Sequence, residues 1–370
     1  MIQPTTTTTP TSPEATLPRL AKTPLDALVP ALRPLRIVMF CKSKKHTRVP
    51  VHFMRAFRQQ GHEVTWFRTH KLNRVVGGAI SRAVMNWRYR LLRPDVVFIY
   101  GRDIPHGVLE AMQDDVPKVV YYEDIPGADG RTFNSEHRRV FGQASLLFTT
   151  ARELIPSLRE LGAQHVEFLH AGVDPEDHYL DEPDERYASE VAFIGRGYGS
   201  DRLELIASVA RHCDLRVYGR GWKENIGLAS SHQHIFPQQY RTICASTKIV
   251  LGIDLRSDFD LYFSNRTWLT LGCGGFLLTH YVPHLEEFFT NRRHLVWYHS
   301  TEECLDLIRH YLDHDAERKR IAAEGYRYVH RYHTFQHAAS HIAARVRETF
   351  GVGEAPTPAA RGRGASGEAR

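Results

Sequence analysis

Short apolar runs alternate with longer amphipathic stretches along most of this 370-residue chain. An apolar run bounded by turn residues is typical of a buried strand, and the amphipathic stretches are typical of helices. Strands are predicted in the first half at residues 36–41, 63–67, 96–100, 118–122, 146–149 and 166–170. Helices are predicted between them, for example at 51–60 and 153–161. This alternation predicts a parallel α/β sheet.

A second alternation follows an acidic stretch at residues 174–185, which we predict to link two domains. Its predicted strands are 191–194, 215–218, 248–253, 276–279 and 295–298, and its clearest helices are 302–312 and 316–331. A last helix is predicted at 335–350, with Thr334 as the N-cap residue. The predicted fold class is α/β, with two Rossmann-like parallel α/β domains facing each other across a cleft at the carboxyl ends of the strands.

Chain length also favours two domains, because single cores rarely grow beyond about 250–300 residues. We predict an N-terminal Rossmann-like domain at 35–182 and a C-terminal one at 183–334. The helix at 335–350 is expected to pack back on the N-terminal domain. The Pro- and Thr-rich segment 1–34 and the segment 351–370, which has few large apolar residues, are expected to be disordered tails.

Composition narrows the possible function classes. Hydrophobic residues make up 42% and charged residues 24% of the chain, which is ordinary for a globular protein. The five cysteines are far apart, with no C-x-x-C pair, so neither a disulfide framework nor a zinc knuckle is indicated. No apolar run reaches the roughly 18 residues of a membrane span, and the first residues lack the pattern of a signal peptide. We expect a cytoplasmic protein whose membrane contact, where there is any, is peripheral and at the inner face.

The net charge of +6 favours anionic partners but does not choose among phosphates, nucleic acid and an acidic membrane. The basic stretch from Lys71 to Arg93 includes Trp87 and could contact a membrane surface, although a solvated helix face is the favoured interpretation. No nucleic-acid-binding motif is recognised, so a specific nucleic-acid partner is not expected. The sequence carries no signal for an oligomeric state.

The first candidate site follows the predicted strand 248–253. Ser264 and Asn265 begin a helix that ends near Gly272. A helix start offers unpaired N–H groups and a positive dipole end, which suit a diphosphate. Arg266 in the first turn is unfavourable for that dipole, so a bound anion would explain it better. The alternative is that Arg266 is a surface residue and Ser264 only a cap.

The second candidate is the glycine-rich turn Gly195-Arg196-Gly197-Tyr198-Gly199-Ser200, which leads from one predicted strand into a helix. Glycines allow the backbone to approach a phosphate, and Arg196 could make a bidentate contact with it. It is not a dinucleotide fingerprint, because the next strand ends in Gly219-Arg220-Gly221-Trp222 without an acid. An ordinary tight turn is the alternative.

Acidic residues in three loops are candidates for chemistry. Glu123 and Asp124 follow one predicted strand of the first domain, and Asp103 follows another; these acids could accept a proton from an acceptor or bind sugar hydroxyls. A loop or cap role is equally open to them. Asp258 and Asp260 could orient sugar hydroxyls or, less favourably, hold a metal, and a solvated loop is the remaining alternative.

Four histidines, His330, His333, His337 and His341, have approximate helical spacing. His337 and His341 alone lack a third ligand, so we favour a solvated helix face over a metal site.

The C-terminal half resembles a known family. The resemblance rests on the runs NRTWLTLGCGGFLLTHYVPHLEEFF, HLVWYHSTEECLDLIRHYL and ERKRIAAEGYRYVHRYHTF. Together they are similar to the C-terminal domain of spore-maturation-protein-like glycosyltransferases, a glycosyl transferase family 1-like group of the GT-B type. The match covers roughly residues 190–350, and the N-terminal half matches only in outline.

The resemblance implies a nucleotide-sugar donor on the second domain and an unidentified acceptor on the first. The implied donor-binding residues are Gly195, Arg196, Gly197, Gly219, Trp222, Asp258, Asp260, Ser264, Asn265, Arg266 and Thr267. No cofactor or metal is expected, since helix N–H groups and arginines can neutralise the leaving diphosphate.

The chain departs from this family at two positions. Many retaining members have glutamates where this chain has Leu261 and Leu269. Two hypotheses follow: a glycosyltransferase that works in the interdomain cleft, or a degenerate relative that binds nucleotide-sugar or glycan without transfer.

Overall fold

The computed structural model describes residues 24–28, 33–41, 49–112, 115–126, 132–232 and 234–352, without the side chains of residues 69–71. Most of the predicted tails at 1–34 and 351–370 lies outside these ranges.

The first domain is built on a six-stranded sheet with every described pair parallel. Its strands are β1 (Arg36–Cys41), β2 (Glu63–Arg68), β3 (Val96–Tyr100), β4 (Lys118–Tyr122), β5 (Leu146–Thr149) and β6 (Val166–Phe168). The strand order is β2-β1-β3-β4-β5-β6. The helices between them are α1 (Val49–Gln59), α2 (Thr69–Val76), α3 (Gly78–Leu92), α4 (Ser135–Phe141) and α5 (Ile155–Glu160).

The second domain carries a five-stranded parallel sheet. Its strands are β7 (Ser189–Ile194), β8 (Leu215–Tyr218), β9 (Thr247–Gly252), β10 (Leu277–His280) and β11 (Val296–Tyr298), in the order β11-β10-β9-β7-β8. Its helices are α6 (Ser200–Ala210), α7 (Trp222–Ile226), α8 (Pro237–Ser246), α9 (Asn265–Gly272), α10 (Thr301–Asp313) and α11 (Asp315–Tyr332). The predicted fold class of two parallel α/β domains is therefore confirmed.

The first sheet has a hydrophobic core on each face. Along β1, Val38 and Phe40 pack into one core, whereas Ile37 and Met39 pack into the other. Successive side chains of a strand point to opposite faces, and helices cover both faces of a parallel sheet. This is why its strands read as continuous apolar runs and could be located from the sequence.

The last helix, α12 (Phe335–Phe350), packs on the first domain. Phe335, Ala339 and Ile342 are buried in the same core as β1 and β3. Its predicted N-cap is confirmed, because the Thr334 hydroxyl accepts a hydrogen bond from the backbone N–H of His337 at 3.4 Å.

The solvated face predicted for His337 and His341 is wrong. His337 is 5% exposed, because its ring closes the capping box with Thr334. His341 lies 3.4 Å from the Glu167 carboxylate of β6. Helical spacing alone could not show which face α12 buries, since the helix packs on a domain distant in sequence.

The two crossings between the domains lie side by side. Val173 on the outward path and Thr334 on the return form a parallel β-bridge. The Val173 N–H donates to the His333 carbonyl at 2.8 Å, and the Phe335 N–H donates to the Val173 carbonyl at 2.9 Å. We refer to this pairing as the crossing bridge. The predicted linker at 174–185 is thus anchored at its start.

Gly172 makes the crossing bridge possible. Its φ is +93°, and a Cβ at this position would lie 2.3 Å from the His333 carbonyl oxygen. Only glycine adopts this conformation without strain and leaves room for the returning chain.

We predict that Gly172→Ala lowers the free energy of unfolding by about 3 kcal/mol, because the new Cβ must displace backbone as well as strain φ. Gly61→Ala is the matched control: Gly61 has φ +87°, and nothing lies within 4 Å of its Cβ position. It should cost about 1 kcal/mol, the price of the φ alone. Urea unfolding of both variants measures the difference, and equal losses would contradict the role of the close approach.

Candidate functional site

The carboxyl ends of the two sheets meet at a cleft that contains two adjoining cavities. One, of about 300 Å³, is lined by both domains, including Tyr100 and Glu123 from the first and Asn265 from the second. The other, of about 460 Å³, is lined by the second domain. Both are bounded by Tyr240 and Leu269, so they lie next to each other. We call them the interdomain cavity and the arginine cavity.

Two glycine turns form the floor of the arginine cavity. The Gly195 N–H donates to the Tyr218 carbonyl and the Gly197 N–H to the Arg220 carbonyl, both at 2.8 Å. A Cβ on Gly219 would lie 2.0 Å from the Gly195 carbonyl oxygen. The turns after β7 and β8 therefore pack backbone against backbone, which explains why both are rich in glycine.

Trp222, predicted to bind donor, instead supports the first turn from below. It is fully buried, and its Nε1–H donates to the Gly195 carbonyl at 3.1 Å. A Cβ on Gly197 would lie 2.6 Å from the indole. Its apolar ring packs in the hydrophobic core of the second domain, so it positions the turn without reaching the cleft.

Three arginines give the arginine cavity its charge. Arg196 follows β7, Arg220 follows β8 and Arg266 lies in the first turn of α9, and all three line the cavity. Arg196 and Arg220 are exposed, and Arg266 is partly buried. Arg220 donates to His234 on the rim. Side chains from two turns and from the start of α9 thus line one cavity.

Arg266 has an anionic partner within the protein, whereas the sequence favoured a bound anion over a surface position as the explanation for it. Its Nη2 donates to the Asp254 carboxylate at 3.1 Å and to the Ile253 carbonyl at 3.0 Å, and its guanidinium lies 5.0 Å from the centre of the Phe193 ring. Asp254 lies two residues beyond the end of β9. Only the fold places it against Arg266.

A fourth arginine, Arg202, lies buried behind the first glycine turn and was not identified from the sequence. It is 4% exposed and donates to the carbonyls of Arg196 at 3.1 Å and Ile253 at 2.9 Å. Burial, together with the nearby charge of Arg266, lowers the pKa of Arg202 to about 10, so it remains charged at neutral pH. Asp254 pairs with Arg266, and its negative charge also acts on Arg202, where it opposes the lowering of the pKa by burial. The region behind the turn is therefore positive.

The start of α9 is arranged differently from the prediction. Ser264 is the N-cap residue, but its hydroxyl accepts from Arg266 Nε at 3.0 Å instead of capping the helix. Asn265 reaches across the cleft, and its Nδ2 donates to Glu123 at 2.9 Å. Thr267, also predicted to bind donor, is 4% exposed, because the helix turns it into the domain.

Glu123 at the end of β4 is the predicted acid that lines the interdomain cavity. It accepts hydrogen bonds from the Tyr100 hydroxyl and from Asn265. Burial raises the pKa of Glu123 above its ordinary value, although these two hydrogen bonds act in the opposite direction. Asp124 is exposed and lines a separate cavity of about 190 Å³, and Asp103 lines none of the cavities described here.

The predicted Asp258–Asp260 pair is divided between two arginines. Asp258 is exposed and pairs with Arg256 at 2.6 Å. Asp260 pairs with Arg152 of the first domain at 2.6 Å, and Arg152 also binds Glu287 at 2.9 Å. The first residue is thus a solvated loop acid and the second part of an interdomain ion cluster. Neither lines the two cavities of the cleft.

One cluster of metal-ligand type lies beside the interdomain cavity, formed by His52, Asp174 and Asp177. Arg55 donates to Asp174 at 2.5 Å and to Asp177 at 3.3 Å, so a guanidinium already provides positive charge at these carboxylates. The His52 Nδ1 lies 2.6 Å from Asp174. This arrangement is that of an ion-pair cluster tying α1 to the interdomain linker.

We predict that Glu123→Gln changes how stability depends on pH. The folded chain binds the Glu123 proton more tightly than the unfolded chain, so this contribution to stability is present at low pH and is lost as pH rises through the folded pKa. The wild type should gain stability relative to Glu123→Gln as pH falls from neutral. Urea unfolding at several pH values tests this, with Glu160→Gln, an exposed glutamate of α5, as the control. A stability difference independent of pH would contradict it.

Residues 202–344 match the model of a family described as glycosyl transferase-like. A sequence search of curated proteins finds no significant match. None of the described helices is both long enough and apolar enough to cross a bilayer.

Solved structures share the whole two-domain arrangement. Anabaena HepE in complex with UDP and glucose superposes with a TM-score of 0.57 at 11% identity, over 85% of this chain and 100% of that one. Sucrose-phosphate synthase from Thermosynechococcus elongatus gives 0.60 at 9% identity, over 85% and 99%. A protein described as a UDP-N-acetylglucosamine 2-epimerase from Listeria monocytogenes gives 0.53 at 8% identity, over 86% and 97%. Likeness at such low identity establishes the fold alone: the chain has the GT-B fold and contains a glycosyl transferase-like domain.

Proposed function

We propose that this chain is a glycosyltransferase that moves a sugar from a nucleoside-diphosphate-sugar to an acceptor in the interdomain cleft. The observation that carries the proposal is that the arginine cavity adjoins a second cavity lined by the partly buried carboxylate of Glu123. The glycosyl transferase-like segment at 202–344 and the fold shared with the UDP complex of HepE support it. The N-R-T-W and C-G-G motifs further favour the spore-maturation-protein-like group.

The diphosphate is proposed to lie between Arg196, Arg220 and Arg266. Guanidinium groups can bind phosphate oxygens bidentately, and the unpaired N–H groups at the start of α9 add a positive dipole end. Arg202 behind the turn strengthens this field without contact. Such donors can stabilise the charge that develops on a departing diphosphate, so the proposed site needs no metal.

Glu123 is proposed to act on the acceptor. In a direct displacement, the acceptor hydroxyl oxygen bonds to the anomeric carbon, the bond from that carbon to the diphosphate oxygen breaks, and Glu123 takes the hydroxyl proton. In a retaining reaction the same carboxylate would bind a sugar hydroxyl. Asn265 connects the two halves of the site, since it starts the donor-side helix and holds Glu123.

A binding protein without transfer is the second candidate, and one observation favours it. Leu269 lines both cavities at a position where many retaining relatives are expected to have a glutamate. Leu261 is fully buried beside Phe263 and Trp268. An apolar side chain at Leu269 cannot bind sugar hydroxyls, so the donor sugar would have to be held by other groups.

We predict that UDP binds in the arginine cavity and that Arg196→Ala and Arg220→Ala each weaken it by about 10-fold or more, because each removes a charge-assisted contact worth about 1.5–3 kcal/mol. Calorimetry measures the affinities. Arg211→Ala, an exposed arginine at the far end of α6, is the matched control and should bind UDP like the wild type. Equal affinities of all four proteins would contradict the assignment of the cavity.

We predict that the chain releases nucleoside diphosphate from a matching nucleotide-sugar and that Glu123→Gln slows this by about 10²–10⁴-fold at unchanged UDP affinity. Because burial raises the pKa of Glu123, the wild-type rate should fall on the acid side at higher pH than for an ordinary carboxyl group. A coupled assay of diphosphate release across pH measures both. Tight UDP binding with no turnover of any nucleotide-sugar would instead support the binding protein.

A further inference from the structure

Exposed apolar side chains are concentrated on one surface of the first domain. The structure describes eight large hydrophobic residues as exposed, and five of them are Val75, Ile80, Val84, Trp87 and Leu91. Trp87 is 65% and Leu91 67% exposed. The last four are spaced i, i+4, i+7 and i+11 on α3, so they share one face of the helix. We call this face the α3 stripe.

The α3 stripe is not the face that packs in the core. Ser81, Met85 and Tyr89 are buried on another side of α3, and Met85 and Tyr89 belong to the core of the first domain. A surface helix normally buries one apolar face and presents polar residues to solvent. A second apolar face in water is therefore unexplained by the packing of this domain.

The same segment concentrates the positive charge of the chain. Residues 64–94 contain seven Lys and Arg and no Asp or Glu, whereas the whole chain has a net charge of only +6. Arg88 and Arg90 lie on either side of the α3 stripe by helical position and are exposed. Arg88 also lies over the Phe67 ring at 5.4 Å. Cationic groups therefore border the apolar face.

We propose that the α3 stripe and its flanking arginines form a docking surface for an anionic lipid bilayer. A helix with Trp and Leu on one face and basic residues beside them can lie in the membrane interface, with the apolar side chains inserted and the guanidinium groups at the phosphates. A run of 31 residues without a carboxylate fits a uniformly negative surface, and each basic group near such a surface adds to binding.

The position of the surface fits a role beside the cleft. Helix α2 leaves the carboxyl end of β2, and Asn86 of α3 donates to the Gly107 carbonyl beyond the carboxyl end of β3 at 2.9 Å. The docking surface therefore lies at the edge of the sheet that carries the cleft. The solvated face favoured from the sequence is replaced by this proposal, because only the exposures of the individual side chains separate the stripe from the core-facing residues.

Flotation of the full chain with vesicles tests the proposal without any measurement of transfer. The chain should float with phosphatidylcholine vesicles that contain phosphatidylglycerol, bind pure phosphatidylcholine at least about 10-fold more weakly, and lose affinity as salt is added. The double variant Trp87→Ser/Leu91→Ser should bind the anionic vesicles about 10-fold or more weakly, because two exposed apolar groups no longer insert.

Further variants separate the contribution of the arginines from that of the apolar side chains. Arg88→Gln/Arg90→Gln should weaken binding about 10-fold or more, whereas Arg186→Gln/Arg309→Gln, exposed arginines of the second domain, should not change it. Leu180→Ser is the apolar control, since Leu180 is 59% exposed away from α3. Equal binding to neutral and anionic vesicles, or no binding, would overturn the proposal. So would sedimentation showing a dimer that only the stripe variant dissociates in the absence of vesicles, because the stripe would then be covered by a second copy.

Discussion

The crossing bridge between Val173 and Thr334 is the contact on which the two-domain arrangement depends. The outgoing and returning chains are hydrogen-bonded to each other, so the domains are joined by a paired hinge and not by two independent linkers. The returning chain continues into α12, whose alanines and Ile342 pack in the core of the first domain that also contains Ile37 and Met39 of β1. One backbone approach, allowed by Gly172, thereby ties the cleft, the last helix and the first domain together.

The second-domain side of the cleft carries an excess of positive charge, which the fold holds in place. Arg202 and Arg266 lie behind and beside the glycine turn, and the nearby carboxylate of Asp254 pairs with Arg266. Holding two such cations together costs stability unless anions offset them. Local departures of this kind concentrate at functional sites, where a ligand completes the charge balance. The proposed diphosphate would do so here, while Glu123 of the first domain is held by a hydrogen bond from Asn265.

Most of the fold was predictable because parallel strands buried on both faces are apolar throughout. The predicted strands 36–41, 96–100, 118–122, 146–149 and 215–218 coincide with observed ones, and the others differ by one or two residues at their ends. The helix 335–350 and its cap at Thr334 were also predictable, since capping depends on neighbours along the chain. Within the site, the glycine turns and the start of α9 were located by local turn and cap chemistry in the same way.

Side-chain partners were not predictable, because they come from residues far apart in sequence. Asp260 was predicted to act with Asp258, but it binds Arg152 of the other domain. Trp222 was predicted to bind donor, but it lies beneath the glycine turn. The roles of Asp254, Arg202 and the α3 stripe could be recognised only from which of their side chains are buried and which are exposed. The sequence by itself determined the strands, helices, turns and overall charge, because these follow from local periodicity and composition. Only the tertiary structure decided which charges are paired, which face of each helix is buried and which carboxylate lines the cleft, because those depend on contacts between distant segments.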